Sequence, residues 1–441
     1  MLTDLICALA TPPGRAALAL IRLSGRGAFD AARRVLRWQS DRVPEPRRAC
    51  LASFHEVDGS PFDEGIVIFF PGPGSYTGED LVEFTCHGGL LSSGQLLAAL
   101  GAAGARPAHP GEFTRRAVAH GKIDLIQAEA IADLIDATTR AQGRAALRQL
   151  SGGLSSRLTE LRGHLVDLLA LLAYDIDFPE EDDGPVDRGA VTAALQICAD
   201  AISSLLETAG LGERVRRGAL VVIAGRPNAG KSSLFNALLG TERALVTEIP
   251  GTTRDTIEAD LDLDGYAVRI ADTAGLRASN DRIEQLGVEV SRRYLGAADL
   301  VLLCIDAGLE PTEEEQDLGR QSTTLTVRTK TDQHPARAPG VSAVTGAGLG
   351  DLKRALVDRL YGQVEVHGDA DPLVTRERHR QGLATALAAL GDAGPEVAPG
   401  GDAVLAAHHV RRAMIALDEL LGVVDVEEVF GRIFERFCVG K

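Results

Sequence analysis

The octapeptide Gly225-Arg226-Pro227-Asn228-Ala229-Gly230-Lys231-Ser232 reads G-x-x-x-x-G-K-[ST]. It lies between an apolar run, Ala219–Ala224, and a helical run, Ser233–Leu239. Strand, glycine-rich loop and helix in that order leave few folds open. The glycines let backbone N–H groups close around phosphate oxygens, and the helix N-terminus adds its positive end. Lys231 is then placed to hold β- and γ-phosphates, and Ser232 to ligate Mg²⁺. From residue 219 to about 361, further apolar runs (Ala267–Ala271, Leu300–Ile305, Leu325–Arg328) alternate with helical sequence. That alternation predicts a parallel α/β sheet.

Helical sequence lies on both sides of this unit. Before it, apolar residues recur at helical spacing at Leu125, Ala128, Ile131, Leu134 and Ile135, then at Leu154, Leu158, Leu161, Leu165, Leu168 and Leu172. The acidic, Pro/Gly-bearing stretch Phe178–Pro185 predicts a solvated loop, and helix resumes over Val191–Thr208. After it come helical runs Ala384–Leu390, Ala403–Leu421 and Val426–Phe437. Residues 1 to about 118 carry strand and turn signals, such as Ala17–Leu23 and Ile66–Phe70, with a helix at Leu90–Leu100. The economical architecture is multidomain, α/β plus α. An N-terminal α/β domain (1–118) precedes a helical domain in two parts (119–210 and 366–441), and a P-loop domain (211–365) is inserted between them.

A phosphate loop does not name the base. Asp272-Thr273-Ala274-Gly275 follows a strand and resembles the D-x-x-G element of Ras-like GTPases. Asp272 would organise Mg²⁺ through water, and the Gly275 N–H would meet the γ-phosphate. Thr253, in Gly251-Thr252-Thr253-Arg254-Asp255, is the switch threonine expected on Mg²⁺. Thr329-Lys330-Thr331-Asp332 resembles the guanine-reading N-K-x-D element, with Thr329 in place of Asn. Asp332 would accept from guanine N1–H and N2–H, and the Thr329 hydroxyl could bond nearby backbone. Ser342-Ala343-Val344 resembles the element that backs the base. Order and spacing together point to GTP.

Hydrolysis needs an oriented water. Leu276 stands where Ras-like enzymes carry a water-orienting glutamine, and it cannot serve. Asp281, Glu284 and Glu289 are the carboxylates in the segment that follows. Arg254 and Arg277 are in range to supply positive charge. A monovalent cation is the alternative, since the Asn228 amide oxygen beside the phosphates suits a hard ion.

Composition excludes several other classes. Net charge is 46 − 62 = −16, which argues against a surface that grips nucleic acid throughout. One tryptophan and five tyrosines argue against a single-strand stacking platform. The six cysteines are dispersed without a C-x-x-C pair, the pattern of a reducing cytosol rather than of a disulfide framework. No apolar run reaches 18 residues and the N-terminus lacks a basic n-region, so a transmembrane span or signal peptide is not expected. A cytoplasmic location follows as an expectation.

Motifs outside the P-loop domain carry a resemblance along nearly the whole chain. They are Thr11-Pro12-Pro13-Gly14-Arg15, Gly78-Glu79-Asp80, His87-Gly88-Gly89, Pro110-Gly111-Glu112-Phe113-Thr114, Ala128–Ile135 and the terminal Phe437-Cys438-Val439-Gly440-Lys441. Together they resemble the MnmE (TrmE) family of tRNA-modifying GTPases. The resemblance implies an N-terminal domain that makes a homodimer and binds a 5-formyl- or related tetrahydrofolate as one-carbon source, at Arg22, Glu83, Lys122 and Lys441. It implies a K⁺ site at Asn228, Thr247, Ile249 and Thr252, Glu284 as the catalytic glutamate, and Cys438 as a cysteine of the tRNA chemistry. Ser233, Thr247 and Thr252 join the nucleotide contacts. A FAD-dependent partner of the MnmG (GidA) family would complete a heterotetramer. With GTP, Mg²⁺ and K⁺, that complex would install an aminomethyl-type group at C5 of the wobble uridine.

Two other readings compete with this one. A ribosome-assembly switch would carry an RNA-binding G-x-x-G loop, and Gly391-Asp392-Ala393-Gly394 has the spacing but is acidic and reads as a turn. A scaffold with a vestigial site is opposed by intact Lys231, Ser232, Thr253 and Asp272. The run Arg376–Arg380 reads as a solvated helix start.

Overall fold

The computed structural model describes residues 4–37, 45–56, 58–177, 187–241, 258–272, 294–321, 323–334, 340–367, 372–398, 400–423, 437 and 440. The chain forms two compact units, residues 1–132 with 418–441, and residues 133–417.

The first unit is built on β1 (Ile6–Leu9), β2 (Leu18–Ser24), α1 (Ala28–Val35), β3 (Leu36–Arg37), β4 (Cys50–His55), β5 (Pro61–Phe70), β6 (Leu81–His87), α2 (Leu90–Ala102), β7 (Arg106–Pro107) and α3 (Glu112–Ala119). Helix α4 (Leu125–Asp136) begins in it. The strands form one sheet in the order β3-β4-β5-β6-β2-β1-β7. Side chains alternate between its faces, as a pleated strand requires. Ile21, Leu23, Val67, Phe69, Val82 and Phe84 are buried on one face, in a core shared with Leu96 and Leu100 of α2. Their neighbours point the other way. On that second face Leu18, Leu51 and Ile66 are exposed, Ile6, Ala8 and Leu81 are buried with Phe113, and Arg22 and Glu83 are half-buried.

The second unit joins helices to a second sheet. Its helices α5 (Arg140–Leu150), α6 (Gly153–Asp177), α7 (Arg188–Glu207) and α8 (Ala209–Arg217) lead into β8 (Ala219–Ala224), α9 (Lys231–Thr241), β9 (Glu258–Leu263), β10 (Tyr266–Asp272), β11 (Leu300–Asp306), α10 (Glu313–Gly319) and β12 (Thr324–Thr329). Then follow α11 (Leu349–His367), α12 (Glu377–Val397) and α13 (Ala403–Leu421). The sheet order is β12-β11-β8-β10-β9. Four strands are parallel, as the sequence predicts. Edge strand β9 is antiparallel to β10, which the alternation does not anticipate. Its cause is local: Asp264 and Gly265 both adopt positive φ, the backbone of a tight hairpin. Val221, Ile223, Val268, Ile270, Leu302 and Val327 fill the core with Leu234, Leu238, Leu352 and Leu356 from the covering helices. Tyr361 of α11 is fully buried. Its hydroxyl accepts from the Ala219 N–H at 2.9 Å and donates to the Ala267 carbonyl at 2.6 Å, fixing the start of β8.

Helix α7 packs against α6 and α12, so helices from before and after the sheet share one layer. The helical stretch Arg188–Arg217 is long and apolar enough to cross a membrane, by length and composition alone. Within it Val191, Leu195, Cys198, Ile202 and Leu205 are buried in this layer, while Ile197 is exposed. Two local expectations need correction. Gly391–Gly394 lies inside α12 rather than in a turn, since the apolar face of that helix (Ala386, Ala389, Leu390, Ala393, Val397) runs through it into the core. The run from Arg376 does start α12, but it is not simply solvated. Arg376 bonds Asp133 at 2.6 Å and His379 is fully buried. The loop expected over 178–185 and, apart from Phe437, the helix expected over 426–437 lie outside the described residues.

Candidate functional site

In the second unit, β8 delivers the chain into the loop 225–232 and α9 leaves it. Gly225 sits at φ +138°, and a Cβ there would meet the Cys304 carbonyl oxygen at 2.3 Å, so β11 leaves room only for glycine. Gly230 (φ +82°) and Asn228 (φ +63°) complete the curl. Asn228 is exposed at the lip, and Ala229 is buried beneath it. Lys231 is almost wholly buried. Its ammonium donates to the carbonyls of Gly225 (3.0 Å) and Arg226 (2.8 Å), which hold the charge inside the loop it serves. Ser232 Oγ donates to Asp272 Oδ2 at 2.7 Å. Asp272 ends β10 beside β8, so two oxygens suited to a hard divalent cation converge at the helix N-terminus. Ser233 is exposed on the first turn of α9.

The base-reading element is held at several points. Thr329 ends β12, and its buried Oγ1 lies 2.7 Å from the Ala229 carbonyl, to which it donates. Lys330 adopts φ +59°, and its ammonium bonds Asp306 Oδ2 at 2.8 Å. That bond holds the Asp306 carboxyl below its ordinary range. Ser342 Oγ donates to Asp332 Oδ1 at 2.7 Å, aiming an exposed carboxylate. Ala343 is half-buried and Val344 exposed beside it.

Sequence reasoning passed over two residues here. Arg226 occupies a variable position of the motif, yet its Nε donates to Glu315 Oε1 at 2.9 Å and its Nη2 to the Glu310 carbonyl at 2.9 Å. Glu315 also closes the capping box of α10 with Thr312. The T-x-x-E string signals that cap, while nothing local ties it to the phosphate loop. Asp306 is the other residue, the partner of Lys330.

In the first unit, Arg22 of β2 lies directly opposite Glu83 of β6. Arg22 Nε donates to Glu83 Oε1 at 2.9 Å, its guanidinium stands 5.4 Å from the centre of the Tyr76 ring, and its Nη1 reaches the Gly440 carbonyl at 3.5 Å. Tyr76, absent from the sequence reading, shares a hydrogen bond of 2.8 Å with Thr114 Oγ1 of the Glu112-Phe113-Thr114 motif. Lys122 donates from Nζ to the Pro73 carbonyl at 2.8 Å, on the same 71–80 loop. Beneath that loop, fully buried Arg116 bonds Asp4, Glu79 and Glu112. Burial opposes ionisation of Glu112, but Arg106, the His109 amide and Arg116 outweigh it and hold its carboxyl at about 2.

Thr247, Ile249, Thr252, Thr253, Thr273, Ala274, Gly275, Glu284, Cys438 and Lys441 lie outside the described residues. Among the described residues no group of three or more His, Cys, Asp or Glu could hold a metal ion.

The model of the MnmE helical domain matches residues 125–438, and that of the GTP-binding protein TrmE N-terminus matches residues 5–122. The chain belongs to the MnmE family. The tRNA modification GTPase MnmE of Phenylobacterium zucineum (strain HLK1) is 44% identical over 457 residues, covering 100% of both chains. That of Hyphomonas neptunium (strain ATCC 15444) is 43% identical over 448 residues, covering 99% of each. Of solved structures, the G domain of the T. maritima FeoB iron transporter is 31% identical, covers 32% of this chain and 98% of its own, and has a TM-score of 0.24. Both MnmE models thus meet near residue 125, where α4 begins.

Proposed function

We propose that this chain is a potassium-dependent GTPase which, with a FAD-dependent partner of the MnmG (GidA) family, installs an aminomethyl-type group at C5 of the wobble uridine of tRNA. The coarser statement rests on membership of the family: the chain is a GTP hydrolase acting in tRNA modification. The observation that carries the nucleotide reading is the convergence of Lys231, Ser232 and Asp272 on one loop, with Asp332 presented by Ser342.

The donor set fits the ions. Ser232 and Asp272 supply hard oxygens for Mg²⁺, with Thr253 proposed to join them. Asn228 offers an exposed amide oxygen for K⁺, with Thr247, Ile249 and Thr252 proposed as its companions. Such cations, when bound, offset charge on the transferring phosphoryl group. The chain's own part is to release the Lys231 ammonium from the loop carbonyls to the β- and γ-phosphates, and to keep the loop in shape. Glu284 is proposed to orient the attacking water. Ala229, Gly230, Ser233, Thr273, Ala274 and Gly275 are proposed to surround the phosphates, and Thr329, Lys330, Ala343 and Val344 to flank the base.

The half-buried Arg22–Glu83 pair fits a tetrahydrofolate on this sheet face. A carboxylate accepts from the amine edge of a pterin, and Lys122 and Lys441 can meet the glutamyl tail. Exposed Leu18, Leu51 and Ile66 on the same face support a homodimer through it. Cys438 is proposed to act in the tRNA chemistry. The domains are proposed to end at residues 118, 210 and 365.

The test is GTP hydrolysis in KCl and in NaCl at equal ionic strength, with Glu284→Ala alongside. A potassium preference and a rate lost in the variant are expected. Equal rates in the two salts would overturn the cation site, and an unimpaired variant would overturn the role of Glu284.

A further inference from the structure

Guanine presents two chemically distinct edges. Its N1–H and N2–H groups donate, whereas O6 and N7 accept. The Asp332 carboxylate, held by Ser342, can meet only the donor edge. An acceptor at N7 needs a protein donor.

Within the element 329–332, Thr329 has the only hydroxyl that is buried against the phosphate loop. A threonine hydroxyl carries one proton. Here two backbone carbonyls lie in its reach, Ala229 at 2.7 Å and Ile305 at 3.3 Å, and neither can donate back. The proton is therefore directed to a carbonyl of the phosphate loop or of β11. What faces any other neighbour is an oxygen lone pair, which N7 does not attract. An asparagine amide would differ, because it carries two N–H donors and could serve the carbonyl with one and a base with the other.

We infer that Thr329 fastens the base-reading element to the phosphate loop and gives no hydrogen bond to N7, so that this chain reads the donor edge of guanine through Asp332 without a contact to N7. This deepens the GTPase reading above and rests on it. Thr329 is a positioning residue, and base selectivity falls on Asp332. Breaking the Thr329 bond leaves a buried loop carbonyl without its donor, which loosens the phosphate site for every nucleotide equally. Adding a second donor creates a base contact that the native chain lacks.

The experiment uses the full chain and displacement of a fluorescent GDP by GTP, by 7-deaza-GTP, which lacks the N7 acceptor, and by ITP, which lacks the N2 amine. The native chain is expected to bind GTP and 7-deaza-GTP within about twofold, and ITP at least about tenfold more weakly. Thr329→Asn is expected to favour GTP over 7-deaza-GTP about fivefold, the usual scale of one hydrogen bond. Thr329→Val is expected to weaken both to the same extent, and Thr329→Ser to restore them. A native preference of about fivefold or more for GTP over 7-deaza-GTP would overturn the inference, because it requires a donor at N7. Equal binding of ITP and GTP would overturn the donor-edge assignment to Asp332. Failure of GTP itself to displace the probe would overturn the GTPase reading, an outcome separate from the other two.

Discussion

Glu315→Gln isolates one contribution to nucleotide binding. The native carboxylate does two things: Oε2 accepts from the Thr312 N–H at 3.1 Å, capping α10, and Oε1 accepts from Arg226 Nε at 2.9 Å. Glutamine also completes a capping box, so the first function survives. The second does not: glutamine has a single side-chain oxygen, and with that oxygen on the Thr312 N–H the amide NH2 faces Arg226, a donor against a donor. A hydrogen bond to a charged group contributes about 1.5–3 kcal/mol. The Arg226 side chain is 36% exposed, so water shares the interaction and about 1–1.5 kcal/mol is the working figure. Arg226 lies within the loop, and its carbonyl holds Lys231. Loss of the tether makes nucleotide binding reorder the loop at its own cost. At about 1.4 kcal/mol per factor of ten, GDP affinity should fall about five- to tenfold. The assay is fluorescence titration with a GDP analogue, in a double-mutant cycle with Arg226→Gln. The two single effects should not add, because each removes the same bond. Thr312→Ala serves as control, losing only the cap. Additive effects in the cycle, or a Thr312→Ala variant as impaired as Glu315→Gln, would refute the reasoning.

Two further outcomes follow from the first unit. Glu83→Gln should weaken tetrahydrofolate binding, measured by calorimetry, while leaving GTP hydrolysis unchanged, since Glu83 bonds Arg22 within the first unit and the phosphate loop belongs to the second; a loss of hydrolysis equal to the loss of folate binding would count against it. Glu112 is held at about 2 rather than its ordinary 4.5, so the stability it confers is present above pH 4.5 and is lost as pH falls toward 2. That amounts to roughly 3 kcal/mol at most. Thermal melts of the native chain and Glu112→Gln should therefore converge as pH drops from about 5 to about 2, and a constant gap between them would refute the assignment.

The second sheet was legible wherever its determinants are local. The run Ala219–Ala224 is strand β8 residue for residue, because a strand buried on both faces reads as unbroken apolar sequence. Helix α13 likewise keeps the limits Ala403 and Leu421. Strand β9 was missed because Glu-Ala-Asp-Leu-Asp-Leu alternates at a sheet edge and carries three acids, masking its apolar half. The Asp264-Gly265 pair between it and β10 was the available signal. The motif Lys231-Ser232 also identified its own neighbourhood, since loop, strand end and helix start are joined by chain connectivity.

Pairings across long sequence separations were not legible, and these complete both sites. Arg226 meets Glu315 over 89 positions, and Thr329 meets Ala229 over 100. No string within either segment encodes the contact; it follows from placing β11 and β12 beside β8. Arg22 and Glu83 form the intermediate case. Each alternates with core residues, Ile21 and Leu23 in one strand and Val82 and Phe84 in the other, so period two alone turns both side chains outward. The sheet order then places β2 next to β6 and sets the two residues opposite each other. The bonded charge pair, with Tyr76 over Arg22, shares its face with exposed Leu18, Leu51 and Ile66 and with buried Ile6, Ala8 and Leu81. In the proposed function, Leu18, Leu51 and Ile66 would lie under a second protomer and the Arg22–Glu83 pair would face the folate. On that proposal a pterin beneath a second protomer would bury both sets of residues at once, so folate binding and dimerisation are expected to reinforce each other, which sedimentation with and without tetrahydrofolate would check.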